Sequence, residues 1–412
     1  MSADWEHAYN PYKTWGNMGV DYQERVNFER LRKERLEKTR AKMQEYGFDV
    51  LLLMSGDNIR YSIGSFDSGW RTFMRYCILP LKADPILFET VGPDTENTLL
   101  SCPWLKGRVR PSMVWRGAWS AGPHMTAKFA EGVKAALKEE GLENSRIGSD
   151  LLDKPSAIAL AKAGLKIDDA AQVMNKARII KTRDEIELLK KACYLVDCTY
   201  DLVRHGWARP GVTEEEVGGE ISRFLLSNSG DTYLGNVSSG VNTNPYYRAG
   251  RTDKMIRGGD MLIVDIITRY LGYTADFARS WLIGAKPTND HKEVYRSCYD
   301  SLYASMNAVK PGATTKDVAE HFIENEESLH GTTSLIQGGH GLGLTSQEGF
   351  WITRGHSLEF PERLEKNMCL AIETYSTKPG FRDGVRLEEN FVVTDNGYEV
   401  LSQFPFEEEM LS

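Results

Sequence analysis

Several features that the 412-residue sequence lacks exclude whole classes of protein. Basic residues are not in excess, because 50 Lys and Arg stand against 58 Asp and Glu and give a net charge of −8. Proteins that bind nucleic acids need clustered basic side chains to neutralise phosphates, so we expect no nucleic-acid partner. No apolar run approaches the ~20 residues that cross a bilayer, so we expect no membrane span.

Cysteine is also scarce, and none of the six cysteines forms a CxxC pair. Structural zinc sites built from thiolates use such pairs, so we expect no thiolate metal site. The start of the sequence, residues 1–7, lacks the positive stretch and apolar run of a secretory signal, and we expect a cytoplasmic protein with reduced thiols. What is abundant is aromatic: 15 Phe, 18 Tyr and 9 Trp indicate a folded core rather than a solvated chain.

The N-terminal part of the sequence alternates between helical and strand patterns. Segment 27–46 has spaced apolar residues among charges, which predicts an amphipathic helix that ends at Gly47. The apolar segments 48–54 and 76–81 predict buried strands, and segment 129–140 predicts a second helix. This alternation is typical of an α/β domain.

A polar and basic segment, 175–185, separates this part from the rest of the chain and precedes a long helical pattern. Thr182 or Asp184 is a suitable N-cap for that helix. We therefore place the domain boundary here. The first domain is 1–175, which includes an N-terminal arm rich in Tyr and Trp, and the second is 176–412.

The second domain contains an internal echo, since segment 209–217 resembles segment 310–318. In each, a Pro-Gly pair ends one helical pattern, and Thr213 or Thr314 can cap the next. The matching context on both sides predicts a duplicated half-domain.

Carboxylates in apolar surroundings are the first sign of chemistry. Asp265 interrupts the apolar segment 261–267, and Asp276 follows it with Gly272 between, which allows a hairpin. A charge in a buried strand is costly unless it is paired or bound to a metal. Taken alone, either acid is better explained by a structural salt bridge, for example to Arg279.

Three further residues extend this set. His340 lies between glycines, and Glu373 and Glu388 lie in two more apolar segments. Local bases are too few to neutralise four buried carboxylates, whereas two divalent cations balance them. Mixed carboxylate and imidazole ligands suit Mn, Fe, Co or Zn. Two bridged metals can generate a hydroxide and hold a substrate oxygen.

In this order and context, the five residues Asp265, Asp276, His340, Glu373 and Glu388 resemble the pita-bread metallopeptidase and creatinase family. That family includes methionine and Xaa-Pro aminopeptidases, prolidases, creatinase and some lyases. The resemblance covers the second domain, and more weakly the first. It implies an α+β protein with an α/β creatinase-type N-terminal domain, a pita-bread C-terminal domain and a homodimeric assembly.

The resemblance also implies roles for the five residues. Asp265 would chelate one metal, Asp276 and Glu388 would bridge both, and His340 and Glu373 would complete the other site. Glu373 would also move a proton for the attacking water. Creatinase itself has lost these ligands, whereas this sequence keeps all five, so we expect a metalloenzyme with two divalent ions.

The sequence departs from the family's peptidases at two histidines that hold the substrate. After the segment 239–243 the first falls on Tyr247, and the second, seven residues beyond the metal histidine, falls on Gln347. Both side chains donate hydrogen bonds, but neither carries positive charge near neutral pH. We expect Tyr247 and Gln347 to steady the oxyanion and Tyr246 to bind substrate. A shift of one residue in this count, or a contribution from His356, is the alternative.

Two segments, 243–247 and 364–368, are similar to pita-bread lyases that split dimethylsulfoniopropionate. Those lyases have further acids at two positions that are Ile267 and Ser346 here. This chain therefore lacks the extra ligand and the base, so it is similar to these lyases without having their full set of functional residues.

Two arginines are candidates for binding a substrate carboxylate. Arg75 is similar in position to the carboxylate-binding arginine of creatinase, whose N-terminal domain caps the active site of the other subunit. The alternative is a surface arginine before a strand. Arg386 can orient a carboxylate or support a metal ligand.

Together these patterns predict a dinuclear metal-dependent hydrolase that cleaves a C–N bond in a small substrate, a carboxylate or zwitterion. We expect it not to be a general peptidase. The alternatives are a lyase of the dimethylsulfoniopropionate-cleaving type, an Xaa-Pro dipeptidase and an inactive binding scaffold. The five intact ligands count against the scaffold.

Overall fold

The computed structural model describes residues 26–65, 74–228, 230, 234–245, 250–323 and 338–412. The chain divides into two compact units, Met1–Arg178 and Ile179–Ser412, where the sequence predicted a boundary after residue 175. The predicted N-terminal arm lies outside the described residues. Among the described helices, none combines the length and apolar character that a bilayer span requires.

The first unit alternates helices and strands. Its α-helices are α1 (Phe28–Tyr46), α2 (Gly56–Ile63), α3 (Pro93–Ser101), α4 (Gly122–Glu139), α5 (Lys154–Lys162) and α6 (Ala171–Arg178). Its strands are β1 (Val50–Leu53), β2 (Tyr76–Pro80), β3 (Ile86–Thr90), β4 (Val109–Ser112), β5 (Ile147–Ser149) and β6 (Ile167–Asp169). The helix predicted over 129–140 begins earlier, because Pro123 fits a first turn that needs no amide donor.

These strands form one mixed sheet in the order β4-β3-β2-β1-β5-β6. β1 pairs antiparallel with β2 and parallel with β5, and all of its residues are buried, which explains its uninterrupted apolar sequence. α1 begins after Asn27, whose side chain accepts a hydrogen bond from the Arg30 amide. It ends at Gly47, whose φ of 73° favours glycine. Both ends of this helix confirm the prediction.

The second unit contains two β-sheets, each built around a β-hairpin, together with α-helices. Its α-helices are α7 (Arg183–Leu202), α8 (Glu214–Ser227), α9 (Asn289–Asn307), α10 (Thr315–Ala319) and α11 (Glu408–Leu411). Its strands are β7 (Leu234–Ser239), β8 (Met261–Tyr270), β9 (Tyr273–Leu282), β10 (Gly338–Gly341), β11 (Glu348–Ile352), β12 (Cys369–Ser376), β13 (Val385–Val393) and β14 (Tyr398–Val400).

The smaller sheet has the order β7-β8-β9, and the larger has the order β11-β10-β12-β13-β14. All neighbouring strands in both sheets run antiparallel. Apolar side chains of α9, among them Tyr295 and Leu302, share one core cluster with Leu370 of β12 and Leu387 of β13. α7 begins at Thr182 in a capping box with Glu185, which confirms the predicted cap.

The internal echo corresponds to matched structure. Thr213 caps α8 and Thr314 caps α10, each in a capping box with the acid three residues later. The amide of Gly211 donates to the Ile256 carbonyl at 3.0 Å, and the amide of Gly312 donates to the Leu364 carbonyl at 2.9 Å. Each Pro-Gly turn therefore docks on an extended segment in the same way, as a duplicated half-domain requires.

Candidate metal centre

The hairpin of β8 and β9 places two aspartates on one face of the smaller sheet. Asp265 lies opposite Ala278, and Asp276 lies opposite Ile267. Residues that lie opposite each other share a face, as do residues two apart on one strand, so both carboxylates project to the same side. The turn between the strands contains Gly272, with a φ of 84°. The prediction that the two acids occupy neighbouring strands of a hairpin is confirmed.

The larger sheet presents three more of the candidate residues on one face. Glu373 of β12 lies opposite Glu388 of β13 and, on its other side, opposite Gly338 of β10. His340 follows Gly338 by two residues, so its imidazole projects to the same side as both glutamates. The flanking glycines have a packing reason, since a Cβ at Gly339 or Gly341 would lie within 3.0 Å of backbone carbonyl oxygens.

The side chains from the two sheets converge on His340. Its Nε2 lies 3.8 Å from Asp276 Oδ2, 3.9 Å from Glu388 Oε1 and 4.0 Å from Glu373 Oε1. One ligand atom from each of Asp276, His340 and Glu388 lies within 4.8 Å of the others. Asp265 is close enough for its charge to act on both Asp276 and Glu388. The structure therefore brings Asp276, His340, Glu373 and Glu388 into one buried cluster, and the buried Asp265 lies on the same face of its sheet as Asp276.

Burial and mutual repulsion dominate the electrostatics of this cluster. Burial raises the pKa of Asp276 and of Glu388 well above the usual range, and neighbouring carboxylates raise both further. Burial lowers the pKa of His340 to about 4, so its imidazole is neutral near pH 7. Nδ1 lies 3.3 Å from the Gly341 carbonyl oxygen. A neutral ring that donates from Nδ1 to this oxygen presents the lone pair of Nε2 to the carboxylates.

The residues of the cluster fit a divalent-metal centre. Glu388 is buried, and within the described residues neither of its carboxylate oxygens has a hydrogen-bond partner. A buried acceptor without a donor costs about 1–3 kcal/mol, and a cation between the carboxylates would remove both this cost and their repulsion. Carboxylates with one neutral imidazole form a donor set that Mn, Fe, Co and Zn accept.

Arg386 lies beside the cluster and is buried. It precedes Glu388 by two residues on β13, and its guanidinium forms an ion pair with the carboxylate of Glu373. Its positive charge also favours the ionised forms of Asp276 and Glu388. Of the two roles that the sequence left open for this arginine, the contact observed is with a candidate metal ligand.

Of the four side chains considered as donors to the substrate, the structure describes two. Gln347 is exposed, and His356, the alternative donor, is exposed as well and lies 2.9 Å from the Trp351 carbonyl oxygen through its Nε2. Tyr246 and Tyr247 lie outside the described residues. The roles predicted for these four side chains stay predictions.

Arg75 belongs to the first unit, where it is buried just before β2. Its Nε lies 2.7 Å from Glu89 Oε2, and its guanidinium also donates to the Ser65 hydroxyl. The interpretation of Arg75 as a surface residue is wrong, because a buried carboxylate partner, Glu89, holds it inside the unit. Its predicted role in binding a substrate carboxylate stays a prediction.

Sequence reasoning missed several buried polar residues of the second unit. Asn390 bonds the backbone of Asp276 through its side chain, and Lys181 Nζ lies 2.8 Å from Glu348 Oε1 in a fully buried ion pair. A signal for Asn390 was available, since it follows Glu388 by two residues in one strand and so shares its face. For the pair of Lys181 and Glu348 no local pattern exists, because the partners lie far apart in the chain.

Two family profiles match the chain. The profile of metallopeptidase family M24 matches residues 187–395, half of the chain, and includes all five candidate ligands. The chain belongs to metallopeptidase family M24. The profile of the Creatinase/Prolidase N-terminal domain matches residues 35–180. The resemblance seen in the sequence is confirmed, and with it the assignment of the chain as a metal-dependent hydrolase with a creatinase-type N-terminal domain and a pita-bread C-terminal domain.

Individual relatives give a finer comparison. An Xaa-Pro dipeptidase from Lactobacillus delbrueckii subsp. lactis is 27% identical over 380 residues, which are 88% of this chain and 95% of the relative. The dimethylsulfoniopropionate lyase DddP from Roseovarius nubinhibens is 25% identical over 299 residues, 68% of this chain and 64% of the relative. The solved structure of an Xaa-Pro dipeptidase from Bacillus anthracis matches with a TM-score of 0.73 at 23% identity, over 91% of this chain and 98% of that one, and shows the shared fold.

Proposed function

We propose that this M24 member is a dinuclear metal-dependent hydrolase that cleaves a C–N bond in a small substrate with a carboxylate, and that it is not a general peptidase. The observation that carries the proposal is the buried convergence of Asp276, His340 and Glu388, with Glu373 beside them. Five converging ligands have no use in a binding scaffold, so their retention favours an enzyme.

The proposed chemistry divides among the side chains as follows. Asp276 and Glu388 would bridge two divalent ions, Asp265 would chelate one of them, and His340 with Glu373 would complete the other site. When bound, such ions supply Lewis acidity and lower the pKa of water. Glu373 would accept a proton from the attacking water and pass it to the leaving nitrogen.

Arg386 supports this role of Glu373 through their ion pair, because a guanidinium holds a carboxylate in one orientation and keeps it an acceptor. Tyr247 and Gln347 are the proposed donors to the developing oxyanion. Both are uncharged where the family's peptidases carry imidazoles, and Gln347 is exposed. This loss is the reason that we propose a substrate other than general peptides.

The substrates named for two relatives support a substrate with a carboxylate. An Xaa-Pro dipeptide and dimethylsulfoniopropionate differ in the bond that is broken, but both carry a free carboxylate close to that bond. Arg75, Tyr246 and Arg386 are the proposed contacts to this carboxylate. A side chain such as arginine recognises it through two parallel hydrogen bonds.

Elimination is the second candidate reaction, and the identity with DddP favours it. In that reaction a base on the protein would remove a proton, and the leaving group would depart to leave a double bond. Ile267 and Ser346 count against it, because the lyases carry acids at the corresponding positions.

One panel of substrates separates these reactions. Metal-loaded protein is given Xaa-Pro dipeptides, other dipeptides, N-carbamoyl and N-amidino amino acids and dimethylsulfoniopropionate in ¹⁸O-labelled water. The proposal predicts cleavage of a small C–N substrate with one ¹⁸O atom in the product. Formation of an alkene without label would establish the lyase, and turnover confined to Xaa-Pro dipeptides would establish the dipeptidase. Rapid cleavage of many unrelated peptides would overturn the claim that this is not a general peptidase.

We also propose a homodimer, which the creatinase-type N-terminal domain supports. Light scattering on the eluting peak of a size-exclusion column should give twice the mass of the chain. The mass of a single chain across the micromolar range would contradict it.

A further inference from the structure

The two sheets of the second unit meet along one edge of β13. In the described residues β14 pairs with β13 over 391–393, and the Leu401 amide donates to the Asn390 carbonyl oxygen at 2.7 Å, so the stretch 385–389 has one edge without a backbone ladder. β9, the edge strand of the smaller sheet, lies along that edge, and the contacts between them come from side chains. We call this contact the seam, made by residues 276–280 of β9 and 386–390 of β13.

Side chains at the two ends of the seam bond to backbone groups across it. At one end the amide of Asp276 donates to Asn390 Oδ1 at 2.9 Å, and Asn390 Nδ2 donates to the Asp276 carbonyl oxygen. At the other end Ser280 Oγ donates to the Arg386 carbonyl oxygen at 2.7 Å and accepts from the Arg386 amide at 3.0 Å. From one end of the seam to the other, the residue number rises by four on β9 and falls by four on β13. The two strands therefore run antiparallel along the seam.

Asn390 closes the seam where the metal ligands lie. Its side-chain amide carries one carbonyl and one N–H pair, so it satisfies both backbone groups of Asp276 as a residue on a neighbouring strand would. Asn390 is fully buried, and its own backbone amide donates to Ser402 Oγ at 2.9 Å, which fixes it from the far side. The contact leaves little freedom for the backbone of Asp276 relative to β13.

The same seam carries both proposed bridging ligands. Glu388 lies two residues before Asn390 on β13, and its carbonyl oxygen accepts from Arg279 Nη1 at 2.6 Å across the seam. Asp276 and Glu388 come from different sheets, so the hairpin of neither strand fixes the spacing between them. The bonds of Asn390 join their two strands at the level of these carboxylates.

We propose that Asn390 is a positioning residue of the dinuclear centre, which sets the spacing of Asp276 and Glu388 by holding the Asp276 backbone against β13. The inference rests on the proposed function, because it needs a metal centre at these ligands. Residues that hold metal ligands in place without touching the metal change metal affinity by about 10–100-fold when they are removed.

The test is Mn²⁺ binding by isothermal titration calorimetry to the full chain after removal of metal with a chelator. Asn390→Ala removes both bonds beside the ligands. Ser280→Ala removes the two bonds at the other end of the same seam and is the matched control. We expect Mn²⁺ affinity to fall about 10–100-fold in Asn390→Ala and to stay within about threefold in Ser280→Ala, with similar losses of melting temperature in the metal-free proteins.

Unchanged Mn²⁺ affinity in Asn390→Ala, or equal loss in both variants, would overturn the inference, since either result means that the seam serves stability only. If Asn390→Ala does not fold, Asn390→Ser keeps one group that donates and accepts, and an intermediate affinity is expected. Failure of the wild-type chain to bind Mn²⁺ would overturn the proposed function and the inference together. Binding of two ions by the wild type with no effect of Asn390 would overturn the inference alone.

Discussion

The two halves of the second unit share a scaffold and differ in what they bring to the metal centre. In each half a capping threonine after a Pro-Gly turn begins a helix, and a hairpin presents two acids on one face. The first half contributes the shorter side chains of Asp265 and Asp276. The second contributes Glu373 and Glu388, together with the imidazole of His340.

The halves also differ in charge next to the ligands. Arg386 precedes Glu388 by two residues and pairs with Glu373, whereas the residue that precedes Asp276 by two is the neutral Thr274. Within the described residues the Thr274 hydroxyl has no hydrogen-bond partner. The matched turns and hairpins account for the corresponding positions of the acids in the two halves. The ion pair of Arg386 with Glu373, which has no counterpart at Thr274, supports the role that we propose for Glu373.

Removing one of the two acids that we propose to bridge the metals should have the largest effect. We expect Asp276→Ala and Glu388→Ala to lose activity on the order of 10³-fold or more, equivalent to about 4 kcal/mol of transition-state stabilisation. The measurement is kcat/KM on the substrate found by the panel. The control is Asp395→Ala, an exposed acid of the same unit, which should stay within about twofold. A severe loss in one half with a mild loss in the other would show that the two bridging acids are not equivalent.

The next largest effect should distinguish Arg386 from Thr274, the residues that lie two positions before the proposed bridging ligands Glu388 and Asp276. We expect Arg386→Met to lower kcat about 10–100-fold, because Glu373 loses the cation that orients it, and we expect Arg386→Lys to recover part of this loss. Thr274→Val, the matched change in the first half, should leave kcat within about twofold. If Thr274→Val is as harmful as Arg386→Met, the proposed asymmetry between the halves is wrong.

Removing the capping threonine should lower stability by a similar amount in the two halves. Thr213→Ala and Thr314→Ala each remove a side-chain acceptor from the first turn of a helix, which costs about 1 kcal/mol. We expect both variants to lose a few degrees of melting temperature and to keep wild-type kcat/KM. A loss in one variant several times that in the other would show that the two turns are not equivalent.

The smallest expected effect is a pH-dependent change in stability, and it comes from Asp317 in the capping box of Thr314. The hydroxyl and the amide of Thr314 donate to Asp317 and hold the pKa of that carboxyl below its usual range. A lowered pKa in the folded state stabilises the protein above the unfolded value of about 3.9, and this stabilisation is lost as the pH falls through the folded value.

Asp317→Asn should therefore lower the melting temperature at pH 7 by a small amount, and the difference from wild type should shrink below about pH 4. Melting curves of both proteins across this range, with Asp395→Asn as the exposed control, provide the test. A difference that grows as the solution becomes more acidic would contradict a lowered pKa for Asp317 in the folded protein.

The features of the two halves that the sequence could predict are those with a local cause. Asp265, Asp276, Glu373 and Glu388 stand out because each is a charge in an apolar strand, and the caps stand out because a threonine follows a Pro-Gly turn. The helix that ends at Gly47 was predictable for the same reason. In each case a few neighbouring residues determine the outcome.

The features that the sequence could not predict depend on partners far away in the chain. Asn390 and Asp276 are separated by 114 positions, and the pair formed by Lys181 and Glu348 by 167. Arg75 pairs with the buried Glu89, and no sequence pattern near Arg75 indicates this partner. The exposure of Gln347 is likewise set by how its loop folds around Glu348, whose carboxylate accepts from the Leu344 amide.

The proposed centre requires that the ligands of the two halves together bind two divalent ions. Elemental analysis of the protein purified without chelator, and again after incubation with Mn²⁺ and removal of the excess, measures this stoichiometry. We expect about two metal ions per wild-type chain and a clear loss in Asp276→Ala, because Asp276 would bridge both ions. A wild-type chain that stays empty after addition of metal would contradict the dinuclear centre.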